Sequence, residues 1–191
     1  MFIQTEATPN PETLKFLPGQ TVLGSGTQDF PDVDAAAGSP LAIALFHVQG
    51  VERIFLGADF ISVTKSPDAD WKHVKPMTLA AIMDHFTAGL PVMEDTAAVS
   101  GAAESEIVYE GEAAEIVEEI RELIETRVRP AVAQDGGDIV FDRFDPETGL
   151  VTLHMRGACA GCPSSTMTLK QGIENMLRHY VPEVTGVEAA L

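Results

Sequence analysis

Between positions 112 and 129, apolar residues recur at helical spacing: Ala113, Ile116, Val117, Ile120, Leu123, Ile124 and Val128, with Glu and Arg filling the other face. This predicts an amphipathic helix over Glu112–Arg129, with Pro130 just past its end. The period then changes to two. Ile139–Phe144 and Leu150–Arg156 alternate like half-buried strands, joined by the turn-forming run Asp145-Pro-Glu-Thr-Gly149. Pro163 opens a second helix to about His179, and Val184–Ala189 supplies a last strand. The order α-β-β-α-β predicts a small layered domain.

The first ninety residues carry a different pattern. Phe2–Glu6 and Leu14–Leu17 are short strands around Pro9-Asn10-Pro11. Pro40–Val48 begins a helix after Ser39, a capping residue, with Pro at the first helical position. Val51–Leu56 and Phe60–Lys65 form a hairpin around Gly57-Ala-Asp59. Trp71–Thr87 is helical, with Trp71, Val74, Leu79, Ile82 and Phe86 on one stripe and Pro76 splitting its first turn. From Glu94 to Gly111 the chain turns small, acidic and aperiodic, a composition that cannot bury enough surface to order itself. The expected class is α+β: a first domain over 1–95, a flexible acidic linker over 96–111, and a second domain over 112–191.

Charge narrows the function. Twelve Lys and Arg stand against 29 Asp and Glu, a formal −17. Such a surface repels phosphate and anionic lipid, so neither nucleic acid nor membrane is an expected partner. No apolar run approaches the ~20 residues that span a bilayer. The stretch Met1–Glu6 resembles neither a secretory signal nor an Arg-rich transit peptide. The expectation is a soluble cytoplasmic protein. Two cysteines three positions apart, Cys159 and Cys162, do not make a secreted disulfide framework.

Chemistry concentrates in Gly157-Ala-Cys-Ala-Gly-Cys162, expected at the turn from strand into helix. Two intervening residues let both sulfurs point to one side, and glycines permit the turns required. A helix N-terminus stabilises thiolates and anionic clusters, and Ser164 and Ser165 add hydroxyls there. Spacing alone leaves metal or cluster binding, thiol–disulfide exchange and incidental buried thiols open. Against exchange, the motif follows a hairpin and lies outside any evident βαβ unit. Zinc and iron–sulfur clusters usually take four ligands, whereas this chain offers two sulfurs. A two-fold dimer supplies the other two, holding either a transferable cluster or a structural zinc. Asp135-Gly-Gly-Asp138 reads as a helix-to-strand turn rather than a carboxylate site. His47, His73, His85, His154 and His179 read as surface or packing residues. No catalytic triad, phosphate loop or dinucleotide fingerprint occurs, so an enzyme is not expected.

The second domain closely resembles the C-terminal domain of NifU, the Nfu-type iron–sulfur carrier family. The match is carried by Arg129-Pro130, Gln134-Asp-Gly-Gly-Asp-Ile139, Gly157-Ala-Cys-Ala-Gly-Cys-Pro-Ser-Ser-Thr-Met-Thr-Leu-Lys170, Gly172-Ile-Glu174 and Val181-Pro-Glu-Val184. Thr5–Gly19 looks like the N-terminal domain of two-domain members. The resemblance implies a [4Fe–4S] cluster bridging two subunits through Cys159 and Cys162. It also implies a cluster-loaded homodimer, an upstream assembly scaffold as donor, and apo iron–sulfur proteins as recipients. The cysteine-bearing upstream domains of full-length NifU have no counterpart here, which favours a carrier over a primary scaffold. The setting implied is a bacterial cytoplasm, or the mitochondrial matrix for a processed form. The N-terminal domain is expected to select recipients or modulate docking.

Overall fold

The computed structural model describes residues 2–94, 107–160 and 163–190. The expected linker largely coincides with residues outside that description. The chain divides into two compact units, Met1–Gly101 and Ala102–Leu191. Each contains its own sheet, and the mixed α+β class expected from the sequence is observed.

In the first unit, β1 (Gln4–Ala7), β2 (Thr13–Leu17), β3 (Gln28–Phe30), β4 (Val51–Leu56) and β5 (Ile61–Lys65) form an antiparallel sheet of order β1-β2-β5-β4-β3. Helices α1 (Pro40–Phe46) and α2 (Trp71–Thr87) contribute to its core. Ser39 caps α1, its hydroxyl accepting from the Ala42 amide at 3.1 Å. Leu41, Leu45, Ile54, Leu56, Ile61, Val63 and Ile82 pack with Phe16 and Phe30 into this core. Two details differ from expectation. Pro76 leaves α2 continuous, and β3 was missed because three residues show no readable period.

The stripe of α2 also buries His85, which is 3 % exposed. Burial lowers its pKa below the ordinary value and outweighs the opposing pull of the backbone at Leu90 and Pro91. The neutral ring therefore fits the folded unit, whereas the unfolded chain takes up a proton near pH 6.5. Stability from this group is fully present above about pH 6.5 and declines as pH falls towards the lower folded pKa. His85→Leu is expected to flatten that acid-side slope in denaturant titrations between pH 7 and 5; an unchanged slope refutes the assignment.

In the second unit, the expected α-β-β-α-β order appears with one internal change. α3 (Glu112–Leu123) passes through a π-helical turn at Ile124–Val128 into α4 (Arg129–Gln134). Pro130 therefore lies inside the helical path, not beyond its end. Pro has no amide hydrogen and crowds the carbonyl four residues back. The wider turn, closed by the Arg129 amide donating to the Ile124 carbonyl, accommodates it. β6 (Gly137–Asp145) and β7 (Leu150–Gly157) pair antiparallel, α5 (Pro163–Tyr180) follows, and β8 (Gly186–Ala189) returns parallel to β7. Val117, Ile120, Ile124 and Val132 pack with Ile139, Phe144, Leu153, Ile173 and Leu177 in one core. No described helix is long and apolar enough to cross a membrane.

The parallel return of β8 corrects one expectation: β7-α5-β8 is a βαβ unit, and the cysteine loop lies at its first turn. The strand itself was expected over Val184–Ala189; what four residues do not reveal is its parallel pairing with β7.

Candidate functional site

The loop after β7 is built where two strands end together. Gly137 on β6 pairs with Gly157 on β7, and the backbone then turns through Gly157 at φ 62°. Gly136 adopts φ 78° on the neighbouring turn, a conformation that suits glycine. Its carbonyl accepts from the Ala158 amide at 3.2 Å, while the Ala160 amide donates to the Gly157 carbonyl at 3.0 Å. From the helix side, the Thr166 hydroxyl donates to the Cys159 carbonyl at 3.0 Å. Cys159 is thus tied to the β6 turn below and to the first turns of α5 above.

Its free thiol points inward. Cys159 is 6 % exposed and belongs to the core with Ile139, Leu153 and Ile173. A Cβ placed on Gly137 would lie 2.5 Å from the Cys159 Sγ and 2.9 Å from the Arg156 carbonyl oxygen. The sulfur therefore occupies space that any other residue at 137 would claim. Burial, reinforced by the charges of Asp135 and Asp138, pushes the thiol pKa up to about 12. The resting side chain is a neutral thiol, which differs from the helix-stabilised thiolate expected from sequence. Gly161, Cys162 and the side chains of residues 163–165 lie outside the described residues, so Cys159 is the predicted site residue the structure describes.

Asp135-Gly-Gly-Asp138 is the turn expected from sequence. The Arg129 guanidinium grips the Asp138 carboxylate by two bonds of 2.8 and 2.9 Å, and Asp138 also accepts from the Ile139 amide at 2.9 Å. Hydrogen bonding to Asp138 raises the Arg129 pKa further, and the Asp138 side chain is 3 % exposed. This pair anchors the start of β6, the floor on which the Cys159 sulfur rests. The sequence reading missed it: Arg129 and Asp138 were visible as matching positions, but their nine-residue separation gives no periodic signal of contact.

His154, the nearest histidine in sequence before the loop, lies on β7 with Nε2 3.2 Å from Asp142 Oδ1. Its strand position is opposite in phase to Leu153, which packs in the Cys159 core. Among the described residues, no three His, Cys, Asp or Glu side chains converge as a metal site.

Two family models match the chain: one described as "Scaffold protein Nfu/NifU N terminal" over residues 3–89, the other as "NifU-like domain" over residues 120–188. The mitochondrial NifU-like proteins 4 and 5 of Arabidopsis thaliana are each 53% identical over 188 residues. That alignment covers 98% of this chain and 65% and 67% of theirs. The chain belongs to the NifU-like family. A further member, the mitochondrial NFU1 iron-sulfur cluster scaffold homolog of Drosophila ananassae, is 52% identical over 189 residues, covering 98% of this chain and 64% of its own. The chain thus spans about two thirds of the length of these relatives. A solved structure, that of the NifU-like protein from Saccharomyces cerevisiae, is 26% identical, with a TM-score of 0.45 over 50% of this chain and 86% of that one. Within the family, the loop bearing Cys159 falls inside the region matched by the NifU-like domain.

Proposed function

We propose that the chain carries an iron–sulfur cluster as cargo, binding it through Cys159 and Cys162 and passing it to apo-proteins. The observation that carries this reading is the placement of Cys159 at the β7–α5 turn of a domain matched as NifU-like. Thiol sulfur suits iron, and binding requires the thiolate. Taking up a cluster therefore means drawing Cys159 out of its seat on Gly137 and removing its proton.

The two cysteines of one chain supply half of a four-thiolate set. A [4Fe–4S] cluster is accordingly shared by two copies, each contributing Cys159 and Cys162. Sharing also explains release, because separating the copies removes half the ligands. The net charge of −17 works in the same direction, since like-charged copies repel once the cluster leaves. The functional division proposed is residues 1–95 for recipient recognition, 96–111 as linker and 112–191 for the cluster. Relatives bearing mitochondrial names support the matrix setting. The donor is an upstream assembly scaffold.

A thiol–disulfide exchanger is the second reading, and the β7-α5-β8 unit favours it, because redox CxxC motifs open such helices. The thiol argues the other way. An attacking cysteine needs a lowered pKa and access, and Cys159 is buried with its pKa raised.

Anaerobic reconstitution with iron and sulfide tests the proposal. The expected product is a brown dimer with about four irons and four sulfides per two chains. A chain lacking residues 1–95 should keep that spectrum and transfer more slowly to some recipients. A colourless monomer that binds no iron refutes the carrier reading.

A further inference from the structure

Most of the large apolar side chains on α5 face the core: Leu169, Ile173, Met176 and Leu177 all pack there. Met167 does not. It is 66 % exposed, and, two residues before Leu169, it projects from the opposite side of the helix. Isolated exposed apolar residues are ordinary on protein surfaces. Two observations separate Met167 from that background. Its immediate neighbour Thr166 is tied by a hydroxyl bond to the Cys159 carbonyl, so Met167 stands at the cysteine end of the unit. The site at that end is also incomplete in one chain, because the whole sequence contains two cysteines.

We infer that Met167 is a contact residue for a second copy of this chain, packing across the shared cluster when two cysteine loops meet. This rests on the carrier reading above. A two-fold interface presents the same patch from both sides, so each Met167 is buried once and the gain counts twice. An unbranched thioether adapts to an irregular surface and tolerates the sulfur-rich surroundings of a cluster. The contact adds apolar area to an interface otherwise held by metal–sulfur bonds, and it disappears as soon as the copies part. It therefore sets how long the cluster stays bound.

The test compares the reconstituted full chain with Met167→Ala, Met167→Lys and Met167→Leu. Its readouts are cluster loss to an iron chelator, mass in solution, and the thermal midpoint of the apo chains. The expected result is cluster loss about tenfold faster for Met167→Ala and faster still for Met167→Lys, with Met167→Leu near the parent rate. Apo midpoints should coincide, because the side chain is exposed in a single copy. Parent-like release in Met167→Ala and Met167→Lys overturns the contact and leaves the carrier reading intact. A drop of several degrees in the apo midpoint assigns Met167 to the fold and likewise overturns it. Failure of the parent chain to form a coloured dimer takes down the carrier reading and this contact together.

Discussion

Cys159→Ser and Cys162→Ser should each reduce bound iron and sulfide to background and leave the chain monomeric after reconstitution. A serine hydroxyl is a harder and far less acidic ligand than a thiol, so it does not replace a thiolate in a cluster. Two-fold sharing doubles the damage, since one substitution removes two of four ligands. Cys159 is also a core residue, and a hydroxyl there leaves a buried polar group at a cost of about 1–3 kcal/mol. Cys159→Ala provides the needed second variant, because it removes the sulfur without burying a hydroxyl. Circular dichroism of the apo chains separates lost binding from lost fold. The pattern across both cysteines also discriminates the readings. A carrier loses colour and dimer equally in either variant. An exchanger loses activity with one cysteine and accumulates mixed disulfides with the other. A structural zinc dimer shows no colour even in the parent chain, because zinc has no visible absorption.

What the sequence made legible follows from how far each signal reaches along the chain. The stripe of Val117, Ile120 and Ile124 declared a helix, and Ser39 before Pro40 declared a helix start, because both signals lie within a few residues. The hairpin at Gly57-Ala-Asp59 was visible for the same reason. Contacts between distant segments left no such trace. Arg129 reaches Asp138 only because the π turn and the two glycines at 136 and 137 fold the chain back. β8 joins β7 through a crossover helix, so the hairpin, helix and last strand were each read but their closure into a βαβ unit was not. Local reasoning also assigned Cys159 a thiolate character from the helix N-terminus. Burial, a property of the assembled core, reversed the direction. The loop's place between strand and helix was thus readable from sequence, while the state of its thiol depended on packing that no short segment encodes.

Gly137 shows how that packing constrains the site, and substitution there carries the second large effect. Gly137→Ala places a Cβ 2.5 Å from the Cys159 sulfur, 2.9 Å from the Arg156 carbonyl oxygen and 3.1 Å from the Cys159 amide nitrogen. Two of these three neighbours are backbone, so rotating one side chain does not relieve the overlap. Strand β6 or the loop must shift, and overpacking of this kind costs about 1–3 kcal/mol. The shift cannot easily be taken up by β6, because Arg129 holds Asp138, the next residue, with two charge-assisted bonds. The loop therefore moves, carrying Cys159 away from its position. Displacing a ligand by a support residue typically lowers metal affinity 10–100-fold, and a comparable loss of cluster retention is expected for Gly137→Ala, with Gly137→Val worse. Gly172→Ala is the matched control. It lies inside α5, where an added Cβ meets nothing within 4 Å, and it should stabilise the helix by about 0.5–1 kcal/mol with cluster retention unchanged. Retention by Gly137→Ala equal to that of Gly172→Ala would show that the sulfur's resting place on β6 has no part in holding the cluster.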